Sequence, residues 1–189
     1  MKSVSISGSL RENVGKRDAK AQRNQGLIPC VIYGGKEELH FTVEETQFKN
    51  LIFTPEVKYA ELDIDGKHFT AIIQDSQWHP ITDKLLHVDF LEIVEGKAIN
   101  IALPILTTGT SPGVLRGGKL VKKVRKIKVR GELKNIPENI VVDISPLDIN
   151  DCIKVGDIKV DNIVLTENPA SIIVSVLSTR NVEDAPTEA

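Results

Sequence analysis

Ala60-Glu61-Leu62-Asp63-Ile64-Asp65-Gly66-Lys67-His68-Phe69-Thr70-Ala71-Ile72-Ile73-Gln74 decides the fold. Ala60, Leu62 and Ile64 alternate with two acids, the period-two pattern of a half-buried strand. Asp65-Gly66 then offers two residues that tolerate positive φ, as a type I′ hairpin turn requires. The chain continues extended from Lys67 to Gln74, so the segment predicts a β-hairpin.

Outward from this hairpin the same character recurs. Residues 3–10 and 29–33 predict strands, the second ending at Gly34-Gly35. Ile99, Ile101, Leu103 and Ile105 alternate, as do Ile140, Val142 and Ile144, and residues 171–177 predict a final strand. Leu120 to Arg130 alternates basic and apolar residues, as one strand with a solvated face would. Helices are few and short. Residues 16–25 are polar with Gly26 just beyond, Thr42 and Glu45 have capping-box spacing ahead of Phe48, Leu51 and Ile52, and Ser145-Pro146 has the form of a helix start. The segment after the hairpin, Gln74 to Pro80, predicts a loop and a strand returning to the same sheet or barrel. The character changes near Val94-Glu95-Gly96-Lys97. The expectation is therefore a mainly β chain with a few short helices: a first domain over residues 1–93, a second β domain over 94–179, and a frayed acidic tail over 180–189.

At 189 residues and 41% hydrophobic content the chain can bury a real core. Net charge is −2, but its distribution is uneven. Residues 1–36 hold seven Lys/Arg against two Asp/Glu, and residues 115–134 hold nine against one. Two basic stripes in an acidic background predict local electropositive surfaces of the kind that meet nucleic acid. No apolar run approaches the length of a membrane span and no secretory h-region is present, which sets the cytoplasm as the expectation.

Catalytic and metal signatures are missing. Cys30 and Cys152 have no metal or redox spacing and read as two buried thiols, and His40, His68, His79 and His87 lack zinc spacing. Gly113 to Lys119 fits part of a phosphate-binding loop, but Leu120 stands where the magnesium-binding hydroxyl would be and a strand pattern follows. Ser76 or Ser111 with His79 or His87 and Asp75 or Asp89 would compose a triad only by chance, since no nucleophile elbow surrounds either serine. No enzyme activity, cofactor, metal or small-molecule substrate is expected.

What remains is a mixture suited to nucleic acid. Lys16, Lys20 and Arg23 share one helical face at i, i+4, i+7, either a solvated face or a phosphate contact. Tyr33 closes a strand, as a stacking ring, a hydroxyl donor to phosphate, or a half-buried core residue. His87 and Asp89 lie at i, i+2, so both point to one side of a strand while Val88 and Phe90 point to the other. That pair is either an ordinary solvated face or a rigid element whose acid accepts from a base amino group or orients the imidazole.

These motifs carry a resemblance. Gly15-Lys16, Arg23, Pro29-Cys30-Val31-Ile32-Tyr33-Gly34-Gly35, Gln74-Asp75-Ser76-Gln77 with His79-Pro80, and Lys84 to Phe90 look like the bacterial large-subunit ribosomal protein twenty-five family. Gly109 to Val114, Gly117 to Leu120, and Asn135 to Ser145 resemble the second domain of its long form, the general stress protein CTC, so the likeness covers roughly residues 3–178. The resemblance implies a barrel-like N-terminal domain that binds 5S ribosomal RNA in the large ribosomal subunit, and a second β domain. It points to Arg11, Lys16, Lys20, Arg23, Tyr33, Gln74, Gln77, His87 and Asp89 as RNA-facing. The second basic stripe, with Arg116, Lys119, Lys122, Lys126 and Lys128, reads as a solvated face or as a second contact surface for ribosomal RNA or a neighbouring ribosomal protein. The competing class is a free-standing stress-response or protein-interaction module.

Overall fold

The computed structural model describes residues 2–35, 37–94, 96–158, 160 and 163–179, so the expected tail over 180–189 lies outside the described residues. The chain forms two compact units, Met1–Ile99 with Glu132–Lys134, and Asn100–Gly131 with the chain from Asn135 onward.

The first unit runs β1 (Lys2–Leu10), α1 (Lys16–Asn24), β2 (Leu27–Tyr33), β3 (Leu39–Glu44), a 3₁₀ turn (Glu45–Phe48) leading into α2 (Lys49–Ile52), β4 (Lys58–Ile64), β5 (Lys67–Trp78) and β6 (Leu85–Glu92). The six strands close into a barrel in the order β1-β3-β2-β6-β5-β4. β1 with β4 and β2 with β6 are parallel, while the other pairs are antiparallel. Closure leaves no strand edge unpaired. Alternation fills the interior: Ala60, Leu62 and Ile64 of β4 meet Cys30 and Ile32 of β2 and Val88 and Phe90 of β6 in one buried cluster. Phe90 sits at its centre, with ring centroids 5.8 Å from Phe41 and 6.4 Å from Phe48.

The expected hairpin is β4–β5. Asp65 and Gly66 have φ of 48° and 85°, both in the left-handed region a type I′ turn needs. The Gly66 N–H donates to Asp63 Oδ1 at 3.1 Å. The capping box does not form. Thr42 stays in β3, where its hydroxyl bonds that of Ser9 across the barrel wall at 3.0 Å, and the 3₁₀ turn starts after Glu44 without a side-chain cap. Phe48 and Leu51 nevertheless drop into the core as their spacing predicts. Gln74 to Trp78 is strand rather than loop. β5 runs on to Trp78 because the register slips between Ile73 and Asp75, letting a long strand follow the curved wall.

The second unit contains β7 (Ile99–Thr108), α3 (Pro112–Leu115), β8 (Lys119–Lys122), β9 (Lys126–Gly131), β10 (Ile140–Asp143), β11 (Cys152–Lys154), β12 (Val164–Leu165) and β13 (Ile172–Leu177). They form two sheets, β10-β7-β9-β12 and β11-β13-β8. The alternating stretch from Leu120 to Arg130 is therefore not one strand. It breaks after Lys122, and its halves join different sheets. The Lys123 and Val124 N–H groups both donate to the Ile173 carbonyl, which turns the chain from one sheet to the other. Ser145-Pro146 starts no helix, because the Ser145 N–H and hydroxyl both donate to Asp143 Oδ1, at 2.9 and 2.6 Å, instead of capping a helical turn. These two bonds hold the exposed Asp143 carboxyl below its usual range. The loop that imitates a phosphate-binding motif uses its own amides: Gly113 N–H donates to Leu147 O at 3.3 Å and Gly118 N–H to Gly113 O at 2.9 Å. Ser111 caps α3 instead of belonging to a catalytic group.

Candidate nucleic-acid interface

Three neighbouring barrel strands, β2, β6 and β5, present the candidate face. Val88 and Phe90 are fully buried, so the pleat turns His87 and Asp89 outward. Both side chains are 28% exposed, and His87 Nδ1 lies 2.6 Å from Asp89 Oδ1. A carboxylate only accepts, so the imidazole Nδ1–H is the donor. In the neutral ring this leaves Nε2 as a free acceptor, held in orientation by Asp89. Gln77 stands directly across from His87 on β5, and Asp75 directly across from Asp89. Gln74 and Gln77 are exposed. The irregular register around Gln74 is what frees its side chain from the inward-facing series.

Tyr33 ends β2, in register with Leu91 of β6. Desolvation, then the nearby Asp89 and Asp75 carboxylates, push its phenol above the ordinary tyrosine range, so it remains a donor. Gly34 follows with φ of +96°, and a Cβ there would come within 2.5 Å of the Leu91 side chain. Only glycine lets β2 end this tightly against β6. Cys30 lies fully buried beneath the face, where burial first and Asp89 second drive its thiol pKa up while Arg11 opposes them.

α1 buries no side chain outright and is tied to the barrel by two arginines. The Arg11 side chain is only 5% exposed. Its Nη2 donates to Asp18 Oδ2 at 2.8 Å and to Asn13 O at 3.2 Å, closing the loop that enters the helix. Half-buried Arg23 donates to the Leu86 carbonyl of β6 at 3.3 Å. The expected common face thus divides: Lys16 and Lys20 are exposed, whereas the guanidinium groups of Arg11 and Arg23 point back into the domain. Sequence reading missed Asp18 and Asp75. Asp18 gains its role from a loop that folds seven residues back, and Asp75 from strand register, neither of which leaves a local pattern.

Trp78 is not part of this array. It registers with buried Leu85, stacks edge-on against Phe53 at 5.6 Å, and donates from Nε1 to Ser76 Oγ at 3.0 Å. His79 is occupied as well, its Nδ1 accepting from the Ile81 and Thr82 amides. Neither His79 nor His87 carries a serine hydroxyl among the described residues, so the triad has no geometry. In the second stripe, Lys119 and Lys122 belong to β8, and Lys126 and Lys128 to β9 in the other sheet. Arg116 is paired with Asp148 at 2.7 Å. Among the described residues no helix is long and apolar enough to cross a membrane, and no group of three His, Cys, Asp or Glu is placed to hold a metal ion.

Relatives named large ribosomal subunit protein bL25 align along the whole chain. That of Amoebophilus asiaticus is 38% identical over 189 residues, covering 100% of this chain and 96% of its own. That of Christiangramia forsetii is 41% identical over 184 residues, covering 96% and 84%. The chain belongs to the ribosomal L25p family. The model of that family matches residues 6–90, and the model described as ribosomal protein TL5, C-terminal domain, matches residues 98–180. The L25p match runs from Ile6 in β1 to Phe90 in β6, and the TL5-type match spans both sheets of the second unit. L25p is a family of ribosomal proteins and not of enzymes.

Proposed function

We propose that this L25p member is a structural component of the large ribosomal subunit, working in the cytoplasm on the ribosome, and that its barrel binds 5S ribosomal RNA. The observation that carries the reading is the outward His87–Asp89 pair at 2.6 Å, set between Gln77 and Tyr33 on a rigid barrel wall. Closed-barrel strands hold these groups in fixed geometry, which RNA shape recognition needs. Lys16 and Lys20 supply phosphate contacts and fix the register. His87 Nε2 accepts from a 2′-hydroxyl or base amino group, and Gln74 and Gln77 offer donors and acceptors to base edges. Asp89 and Asp75 are unsuited to phosphate and suited to amino groups, so the face discriminates by pattern rather than by charge. Arg11 and Arg23 contribute by fixing α1. The family resemblance supplies the identity of the RNA, and residues 1–93 are expected to suffice for binding it.

A filter-binding titration against 5S RNA with transfer RNA as competitor tests the reading. Binding that survives excess transfer RNA, together with co-sedimentation with large subunits, is the expected result. Equal competition by transfer RNA, or absence from the subunit fraction, would leave a free-standing module instead.

A further inference from the structure

We infer that the barrel wall opposite the candidate RNA face docks an extended basic peptide, the arm of a neighbouring ribosomal protein, through its alternate cationic side chains. The wall is built by β1 and β4, which are parallel and pair Ser5 with Glu61 and Ser7 with Asp63. Ile6 and Leu62 between them are buried, so these four side chains turn outward. In the ring of six strands β1 lies opposite β6 and β4 opposite β2. RNA held on β2 and β6 therefore leaves this wall uncovered.

The wall is the floor of a groove of about 590 Å³. Gln47 and Asn50, from the 3₁₀ turn and α2, form its other side, and His68 stands across from Asp63 on β5. Its shape is preset. Gln47 Oε1 accepts from the Ser7 N–H at 2.9 Å and its Nε2 donates to Ser7 Oγ at 3.2 Å, which ties the turn to the strand. Its negative charge is uncompensated. Glu61 has no ion-pair or hydrogen-bond partner among the described residues. The one side chain that Asp63 meets among them is His68, at 4.0 Å. Lys2 and Lys58, at the start of the two strands, are held by Glu56 at 3.1 and 3.9 Å.

Two carboxylates at i, i+2 on a strand lie about 6.8 Å apart, the spacing of alternate side chains on an extended peptide. A lone amine would meet one of them. An extended peptide meets both, and its backbone N–H and C=O groups find the Ser5 and Ser7 hydroxyls and the Asn50 amide along the groove. Phosphate is repelled, because residues 37–93 hold twelve Asp/Glu against four Lys/Arg. A neutral or acidic segment gains nothing from Glu61. That basic arms lie nearby is the one premise taken from the proposed function: proteins that share an RNA neutralise its phosphates with basic segments.

The test uses the full chain and two fluorescent peptides with capped termini, Arg-Ser-Arg-Ser-Arg-Ser-Ser and Arg-Ser-Ser-Arg-Ser-Ser-Arg, with binding read by anisotropy. Composition and charge are equal, but only the first sets successive arginines on one side of an extended chain. The parent should bind the first about two- to five-fold tighter, the difference that one more exposed ion pair makes. Glu61→Gln should erase that preference while binding to 5S RNA stays unchanged. Ser5→Arg, which sets the chain's own cation beside Glu61, should erase it without removing a carboxylate. Equal affinity of the parent for the two peptides overturns the inference, as does a preference that survives both substitutions. Spermidine carries the same charge as either peptide. If it displaces the first as well as the unlabelled peptide does, the groove takes amines generally and the inference fails. The parent's own 5S titration keeps the two readings apart: 5S binding without the peptide preference fails this inference alone, and the preference without 5S binding fails the barrel reading alone.

Discussion

The barrel and the second unit use the same strand-forming residues in opposite ways. In the barrel six strands of six to twelve residues close on themselves, and their outer wall mixes an imidazole, two carboxylates, two amides and a phenol. In the second unit the strands run from two to ten residues in two open sheets, and β9 turns Lys126, Lys128 and Arg130 outward in one row. Mixed donors and acceptors in fixed geometry discriminate between partners, whereas like charges in a row measure only charge density. Closure supplies the rigidity that discrimination needs.

Removing the centre of the barrel should give the largest effect. Phe90→Ala deletes the ring against which Phe41 and Phe48 pack and should cost about 3–5 kcal/mol of stability. Denaturant melts should show loss of the barrel together with 5S binding. If the open unit melts at an unchanged midpoint, the comparison sharpens into two independent domains.

Arg11→Ala comes next. It strips Asp18 of its charged partner and should destabilise the barrel by about 1.5–3 kcal/mol. Binding to 5S RNA should weaken with no change in salt slope if Arg11, bonded to Asp18 and Asn13, acts by holding α1. Lys16→Ala should do the reverse, lowering the slope by slightly less than one unit at unchanged stability. A lowered slope for Arg11→Ala would place its guanidinium on the RNA and break the division between tethering and exposed cations.

His87→Ala and Asp89→Ala should each weaken 5S binding by about 1–3 kcal/mol, and together by less than the sum, because they share one hydrogen bond. Asp89→Asn is the sharper measurement. A carboxylate that merely repels phosphate would bind RNA better once neutralised, and one that orients His87 would bind worse. Tighter binding by Asp89→Asn would make the barrel wall another charge surface and erase its contrast with β9.

The smallest expected effect is a pH dependence confined to the barrel. The buried Cys30 thiol has a raised pKa, so it stays protonated in the folded state while the unfolded thiol ionises from about pH 8.5. Its contribution is fully present below that pH and is lost as pH rises above it. Urea midpoints at pH 7 and 9.5 should therefore fall more in the parent than in Cys30→Ala. Thiol titration should find half-exposed Cys152 first and Cys30 only on unfolding.

The legible part of the sequence was local. The alternation over 60–64 and the Asp65-Gly66 turn specify a hairpin whatever surrounds it, because side-chain period and backbone φ are properties of a few adjacent residues. The i, i+2 spacing of His87 and Asp89 likewise placed them on one wall, and Val88 and Phe90 in the core. The same local rules misread Thr42 and Ser145, whose hydroxyls found better partners in Ser9 and Asp143 than in a helix amide. Tertiary structure alone decided that the Leu120–Arg130 stripe splits between two sheets, since only the Ile173 carbonyl and the strands on either side end β8 where it ends. It also decided that Arg11 and Arg23 face inward while Lys16 and Lys20 do not. A guanidinium takes whichever acceptor the folded chain brings near, and that acceptor lies seven residues away in one case and sixty-three in the other.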